Sequence, residues 1–203
     1  MLLIRNCFFR NEDFFIEDCY MGKRPRPVNV DGVWHIENKR NTMLSWLWMK
    51  IKKTEPPYYC YYSIWTIIFK PIRKWFSAVL IPTIPFTNLR VSCYRWCGYK
   101  IGKNVFIGMH CYLDDVCYDL MEIGNNVSIS YGVYFAGHGR NQGHNRIVIK
   151  DGAYIGMKAC VIARHDLEIG ENAIVGAMTL VNKSIPDGKT AVGVPCRILE
   201  KKD

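Results

Sequence analysis

From Ile101 onward the apolar positions fall into a six-residue beat. Ile101, Ile107, Leu113, Ile123, Ile129, Phe135, Ile149, Ile155, Val161, Ile169, Val175 and Val181 carry it, and eleven of the twelve are aliphatic. Glycine follows directly at Gly102, Gly108, Gly124, Gly156, Gly170 and Gly176, and a small or β-branched residue stands four positions on, as at Val105, Cys111, Val127, Val133, Ala153, Ala159, Ala173 and Thr179. The period matches neither an amphipathic helix, near about 3.6, nor a half-buried strand, at about 2. It predicts a short strand, a corner and another short strand, with three sides closing a triangular coil whose aliphatic residues stack inside. On this reading the glycine serves the tight corner, where a Cβ is unfavourable.

The beat is interrupted three times. Leu113 to Ile123 takes ten residues, Phe135 to Ile149 fourteen, and Val161 to Ile169 eight. Extra residues in a solenoid bulge at corners, where function concentrates. The longest bulge, Ala136-Gly-His-Gly-Arg-Asn-Gln-Gly-His-Asn-Arg146, holds two of the five histidines. The pattern divides the chain into an irregular segment (1–42), a helical region (43–100), a β-helix (101–185) and a C-terminal tail (186–203). Within the first segment, 14–18 and 30–34 read as short strands and 23–27 as a linker. Pro56, Pro57 and Pro71 break residues 43–82 into short helices, and 84–100 reads as a short helix leading into the first coil.

Charge sharpens the division. Of the 203 residues, the first hundred hold 16 Lys/Arg against 7 Asp/Glu, whereas the remainder balances, so the formal +9 belongs to the first half. Residues 43–82 interleave Trp46, Trp48, Tyr58, Tyr59, Trp65 and Trp75 with Lys50, Lys52, Lys53, Lys70, Arg73 and Lys74. Two readings follow: a helical cap or subunit contact at the open end of the prism, or an interfacial membrane anchor. No nucleic-acid motif accompanies the charge. The nine cysteines form no metal-type CxxC pair and read as small buried hydrophobes in a reducing compartment. The start, Met1-Leu-Leu-Ile-Arg, meets charge too soon for a signal peptide, so a cytoplasmic protein is expected, and the anchor reading would add peripheral contact at the inner membrane face.

The chemistry centres on His138, at the root of the longest bulge. A neutral imidazole suits general-base work on a hydroxyl. Here the chain resembles the hexapeptide-repeat acyltransferases, closest to the galactoside, maltose and polysaccharide O-acetyltransferases. The resemblance rests on Gly137-His138 after a strand, Ile155-Gly-Met-Lys-Ala159, Ile174-Val-Gly-Ala-Met-Thr-Leu-Val-Asn-Lys183 and Gly193-Val-Pro-Cys-Arg197. It implies an all-β solenoid, a left-handed parallel β-helix with a helical, aromatic- and basic-rich N-terminal region, working as a homotrimer with each site between two subunits. It implies acetyl-CoA as co-substrate, no metal, and a sugar or polysaccharide-precursor hydroxyl as acceptor. His138 would be the base. Gly156, Met157, Ala177, Lys183 and Arg197 would hold CoA. Asp115 would contact the acceptor or orient the histidine, and Arg140 would contact the acceptor.

Serine, an amino sugar or a xenobiotic would serve the same chemistry as acceptor. A zinc site of the carbonic-anhydrase kind, built on His110, His138 and His144, and a non-catalytic scaffold are the readings outside acyl transfer. Departures from the family pattern are Tyr154 where Trp is common, Met157 where a small residue is common, and a short loop after His138.

Overall fold

The computed structural model describes residues 26–30, 33–37, 39, 41–62, 64–139 and 144–200. Within 1–42, β1 (Arg26–Val30) and β2 (Val33–Glu37) pair antiparallel with Val30 opposite Val33. Arg26 and Pro27 thus belong to a strand and not to a linker, while residues 14–18 lie outside the described residues.

The helical region follows. Helix α1 (Met43–Lys52) is started by a capping box, Thr42 with Ser45, and stopped by Lys53 in a left-handed conformation. The Pro56-Pro57 pair separates it from a 3₁₀ turn at Tyr58–Tyr61. Helix α2 (Ile64–Trp75) runs through Pro71, where a break was expected, and continues as a π-helical turn over Phe76–Leu80. The proline removes the N–H that would serve the Ile67 carbonyl, but Ile67 and Pro71 are both exposed, so water can serve it instead. Helix α3 (Thr87–Trp96) leads into the first coil as the sequence predicts.

Residues 100–199 form a prism of three strand stacks. The first face stacks β3 (Lys100–Ile101), β5 (Met121–Ile123), β8 (Ile147–Ile149) and β11 (Leu167–Ile169). The second stacks β4 (Phe106–Ile107), β6 (Ser128–Ile129), β9 (Tyr154–Ile155), β12 (Ile174–Val175) and β14 (Thr190–Val192), closed by antiparallel β15 (Arg197–Leu199). The third stacks β7 (Tyr134–Ala136), β10 (Cys160–Ile162) and β13 (Leu180–Val181), with Tyr112 bridged to Tyr134 beneath. The parallel ladder therefore runs to Val192, beyond the expected end at 185. All twelve beat residues line one core, and all but Ile101 are buried. Equivalent residues stack in register, Ile107 on Ile129 and Ile129 on Ile155.

The corners correct one reading of the sequence. The left-handed residues that turn the chain stand three positions after the beat, at Asn104, His110, Asn126, Lys158, Asn172 and Met178. The glycine directly after the beat has another task. A Cβ on Gly156 would stand 2.5 Å from the Ala177 nitrogen of the next coil. Glycine is required there because adjacent coils approach too closely for a side chain.

The open end of the first coil is closed from the helical region. Buried Arg90 donates through Nε to the Ile107 carbonyl at 2.9 Å, the Tyr94 hydroxyl to Cys111 O at 3.2 Å, and the Tyr99 hydroxyl to Leu113 O at 3.1 Å. These groups satisfy carbonyls that no lower coil reaches. This cap is built from residues 90–99, C-terminal to the 43–82 stretch for which a cap was expected.

Candidate active site

The three interruptions of the beat fall at one corner, where face three passes to face one. Residues 114–120, 137–139 with 144–146, and 164–166 are successive outgrowths of that corner, and the last coil crosses it directly from Val181 to Ile185. Stacking puts Asp114 of the first loop beside His138 of the second.

Asp114 is buried, and its carboxylate is satisfied mostly by backbone. Oδ1 accepts from the Val116 and Cys117 amides at 2.9 and 3.0 Å, which shapes its own loop. Oδ2 accepts from the Gly137 amide at 2.5 Å, across to the next coil. His138 Nδ1 lies 2.7 Å from Oδ2 and 2.9 Å from Oδ1. A carboxylate so loaded acts as acceptor, so Nδ1 is the donor of this pair, and the tautomer this contact favours leaves Nε2 as an acceptor. The imidazole is one-third exposed, at 34 %. The loop root is braced by Asn145, whose amide donates to Gly137 O at 2.7 Å and whose side chain donates to Ala163 O at 2.8 Å. A Cβ on Gly137 would stand 2.6 Å from that Asn145 carbonyl, so only glycine leaves His138 in this position.

The aspartate that faces His138 is thus Asp114 and not Asp115. Asp115 is buried and faces the other way: it accepts from the Tyr112 hydroxyl, and Lys74 Nζ of α2 lies 3.2 Å from its Oδ2. Burial first, and the Asp115 bond second, push the Tyr112 phenol far above its ordinary value, so it remains a donor. Arg73 donates to the Asp115 carbonyl at 3.2 Å and lies 3.6 Å over the Tyr118 ring. Asp115 is therefore withdrawn from a solvent-borne acceptor and ties the first loop to α2. Adjacent aspartates in a loop that leaves the six-residue register carry no sequence signal that separates them. Arg140 lies outside the described residues.

The residues expected to meet CoA divide between two corners. Gly156 and Met157 sit where face two passes to face three, and Ala177 stands one coil above. Val192 stacks over Gly176 at the next level, and Arg197 pairs with Val192. These four residues form one line up one edge of the prism, with Met157, Ala177 and Arg197 exposed. Lys183 is exposed but stands at the His138 corner, in the last coil. The width of face three separates the line from His138, about five residues or about 15 Å.

The outer faces differ in chemistry. Faces two and three and the edge between them expose Phe106, Tyr131, Tyr134, Tyr154, Met157, Ile174 and Met178. Face one carries an ion-pair ladder, with Lys100 2.9 Å from Glu122, Arg146 2.5 Å from Glu122 and Lys150 2.6 Å from Glu168. An open groove of about 980 Å³ follows that ladder and does not include His138.

The three histidines of the zinc reading do not gather within one chain. His138 and His144 bridge across the loop root, but His110 stands at another corner, 5.3 Å from the Tyr131 ring. Among the described residues, the group with metal-ligand proximity is Asp114, Cys117 and His138, whose donor atoms lie within 4.8 Å of one another. Its carboxylate is already engaged by three amides and an imidazole.

Comparison with known proteins agrees with this fold. No family model matches the chain. The serine acetyltransferase of Bacillus subtilis (strain 168) is 36% identical over 131 residues, covering 63% of this chain and 56% of that protein, and the serine acetyltransferase of Staphylococcus aureus (strain Mu50 / ATCC 700699) is 35% identical over 133 residues, covering 64% and 58%. The chain thus spans just over half the length of these curated relatives. Among solved structures, a hexapeptide-repeat-containing acetyltransferase from Vibrio cholerae superposes with a TM-score of 0.57 at 22% identity, covering 70% of this chain and 95% of that one. A maltose O-acetyltransferase from Clostridium difficile 630 superposes at 0.54 with 24% identity, covering 70% and 90%. By its six-residue beat, its three-faced coil and these likenesses, the chain has the left-handed parallel β-helix fold of these hexapeptide-repeat structures.

Proposed function

We propose that the protein is an O-acetyltransferase that moves an acetyl group from acetyl-CoA to a hydroxyl acceptor. The observation that carries the reading is the buried Asp114 carboxylate on His138 Nδ1, which fixes the tautomer and aims Nε2 outward. His138 Nε2 takes the acceptor's hydroxyl proton as the oxygen attacks the thioester carbonyl. The tetrahedral intermediate collapses, the C–S bond breaks, and the imidazolium returns the proton to the departing CoA sulfur. Buried Asp114 stabilises the transient imidazolium. The co-substrate agrees with a Vibrio cholerae homologue whose structure holds acetyl coenzyme A.

The line from Gly156 to Arg197 is the CoA track, and its distance from His138 makes a site between two copies the simplest assembly. The apolar outer surface of faces two and three is the natural contact between copies, in a closed trimer. For the acceptor, similarity at 36% to serine acetyltransferases supports a small hydroxyl amino acid. A sugar hydroxyl is the second reading, supported by the fold shared with the maltose enzyme.

Calorimetry with acetyl-CoA tests the class, and CoA release with serine or maltose tests the acceptor. Wild type should bind acetyl-CoA, and an Ala177→Trp/Arg197→Ala variant should lose most of that affinity. Absence of binding at millimolar acetyl-CoA would remove the proposal.

A further inference from the structure

Helix α2 and its π-helical continuation are amphipathic in the wrong sense for a water-facing helix. Their inner side carries the polar groups, Lys74 on Asp115, Arg73 on Tyr118 and buried Ser77, and Phe76 packs edge-on to Trp96 at 5.8 Å. Their outer side is a stripe of Ile68, Ile72, Trp75 and Val79, which are 50, 57, 56 and 52 % exposed. The spacing of four, three and four residues puts all of them on one helical face. Helix α1 repeats the feature, with Met43, Trp46, Leu47, Met49 and Ile51 exposed and only Ser45 buried. An apolar surface of this extent marks an interaction site.

We propose that this surface docks on an anionic phospholipid bilayer, with α1 and α2 lying in the interface. Charge decides the occupant. Residues 43–80 hold six Lys/Arg, of which Arg73 and Lys74 face inward, against one acid, Glu55, which Lys39 already pairs. A second copy of the same surface would bring like charge against like charge, whereas an anionic leaflet complements it. Trp46 with Lys50 over its ring, and Trp75 on the outer stripe of α2, match the amphipathic chemistry of a headgroup layer. No described helix is long and apolar enough to cross a membrane, so the contact is interfacial. Through Arg73 and Lys74, the inner side of α2 holds the loop that carries Asp114. Docking therefore sets the His138 corner about one helix diameter, roughly 10 Å, from the lipid.

Vesicle flotation of the full chain tests the proposal, independently of acetyl transfer. Wild type should float with equimolar phosphatidylglycerol/phosphatidylcholine vesicles and stay behind with phosphatidylcholine alone. An Ile72→Asp/Trp75→Asp variant should partition about tenfold less or weaker still, since both residues leave the apolar face, while retaining acetyl-CoA binding. On wild type alone, tryptophan fluorescence should shift to the blue on the anionic vesicles and be quenched by brominated lipid. Equal flotation of wild type and variant would overturn the proposal. So would a wild type that ignores anionic vesicles, or a variant whose only change is a smaller oligomer, which would assign the surface to a second copy.

Discussion

At the scale of single residues, the site rests on which atom of which aspartate faces His138. Removing the imidazole with His138→Ala should lower turnover by about 10²-fold or more and leave acetyl-CoA affinity nearly unchanged. Asp114→Asn is the sharper test. An amide can donate to Nδ1 and so stabilise the wrong tautomer, and the expected loss in kcat is about 10²- to 10⁴-fold with little change in KM. Asp115→Asn keeps the bond from Tyr112 and stands away from Nδ1, so its kcat should stay within a few-fold of wild type; steady-state kinetics on the three variants decides the assignment. The cysteines give a second residue-scale expectation. Burial pushes the Cys97 thiol up to about 11. A raised pKa favours the folded state below the unfolded value, about 8.5, and that contribution is lost as pH rises toward 11. Native protein treated with iodoacetamide at about pH 8 should therefore leave Cys97 unmodified, because little thiolate forms. Mass spectrometry reads the outcome, and complete labelling before unfolding would contradict it.

At the scale of elements, the coil is limited by the closeness of its turns. Gly156→Ala puts a methyl against the Ala177 backbone, which the next coil cannot move without shifting its own ladder. The expected destabilisation is about 1–3 kcal/mol by denaturant unfolding. Ile155→Ala empties a fully buried position between Ile129 and Val175 and should cost about 2–5 kcal/mol. The beat residues were legible as a core because every sixth side chain must enter the same narrow prism. The reason for the glycines was not legible: a corner and a close approach between coils both exclude a Cβ, and only the dihedrals tell them apart. Pro71 shows the opposite limit. A local rule predicts a break, but the side of α2 it interrupts faces solvent, so the helix continues.

At the scale of the whole molecule, His138 and the Gly156–Arg197 line occupy different edges of the prism, which gives the assembly a direct test. Mixing two inactive variants, His138→Ala and Ala177→Trp, and allowing subunits to exchange should restore activity. In a randomly mixed ring, about a quarter of the sites would pair an intact histidine with an intact CoA edge. Failure to recover activity, with exchange verified, would place both functions in one chain.

The sequence by itself determined the solenoid, its extent from Ile101, the three places where it bulges and the histidine at the root of the longest. These follow from periodicity, and a six-residue beat leaves little choice of geometry. It also marked residues 43–82 as apolar and basic, without saying which side chains face outward. Only the tertiary structure put all three bulges at one corner, because coils must stack before loops far apart in sequence become neighbours. That stacking selects Asp114 over Asp115, puts Lys183 on a different edge from Met157 and Ala177, and turns the aliphatic stripe of α2 away from the protein. Each is a matter of direction in space, and direction is set by packing between elements rather than by the order of residues along the chain.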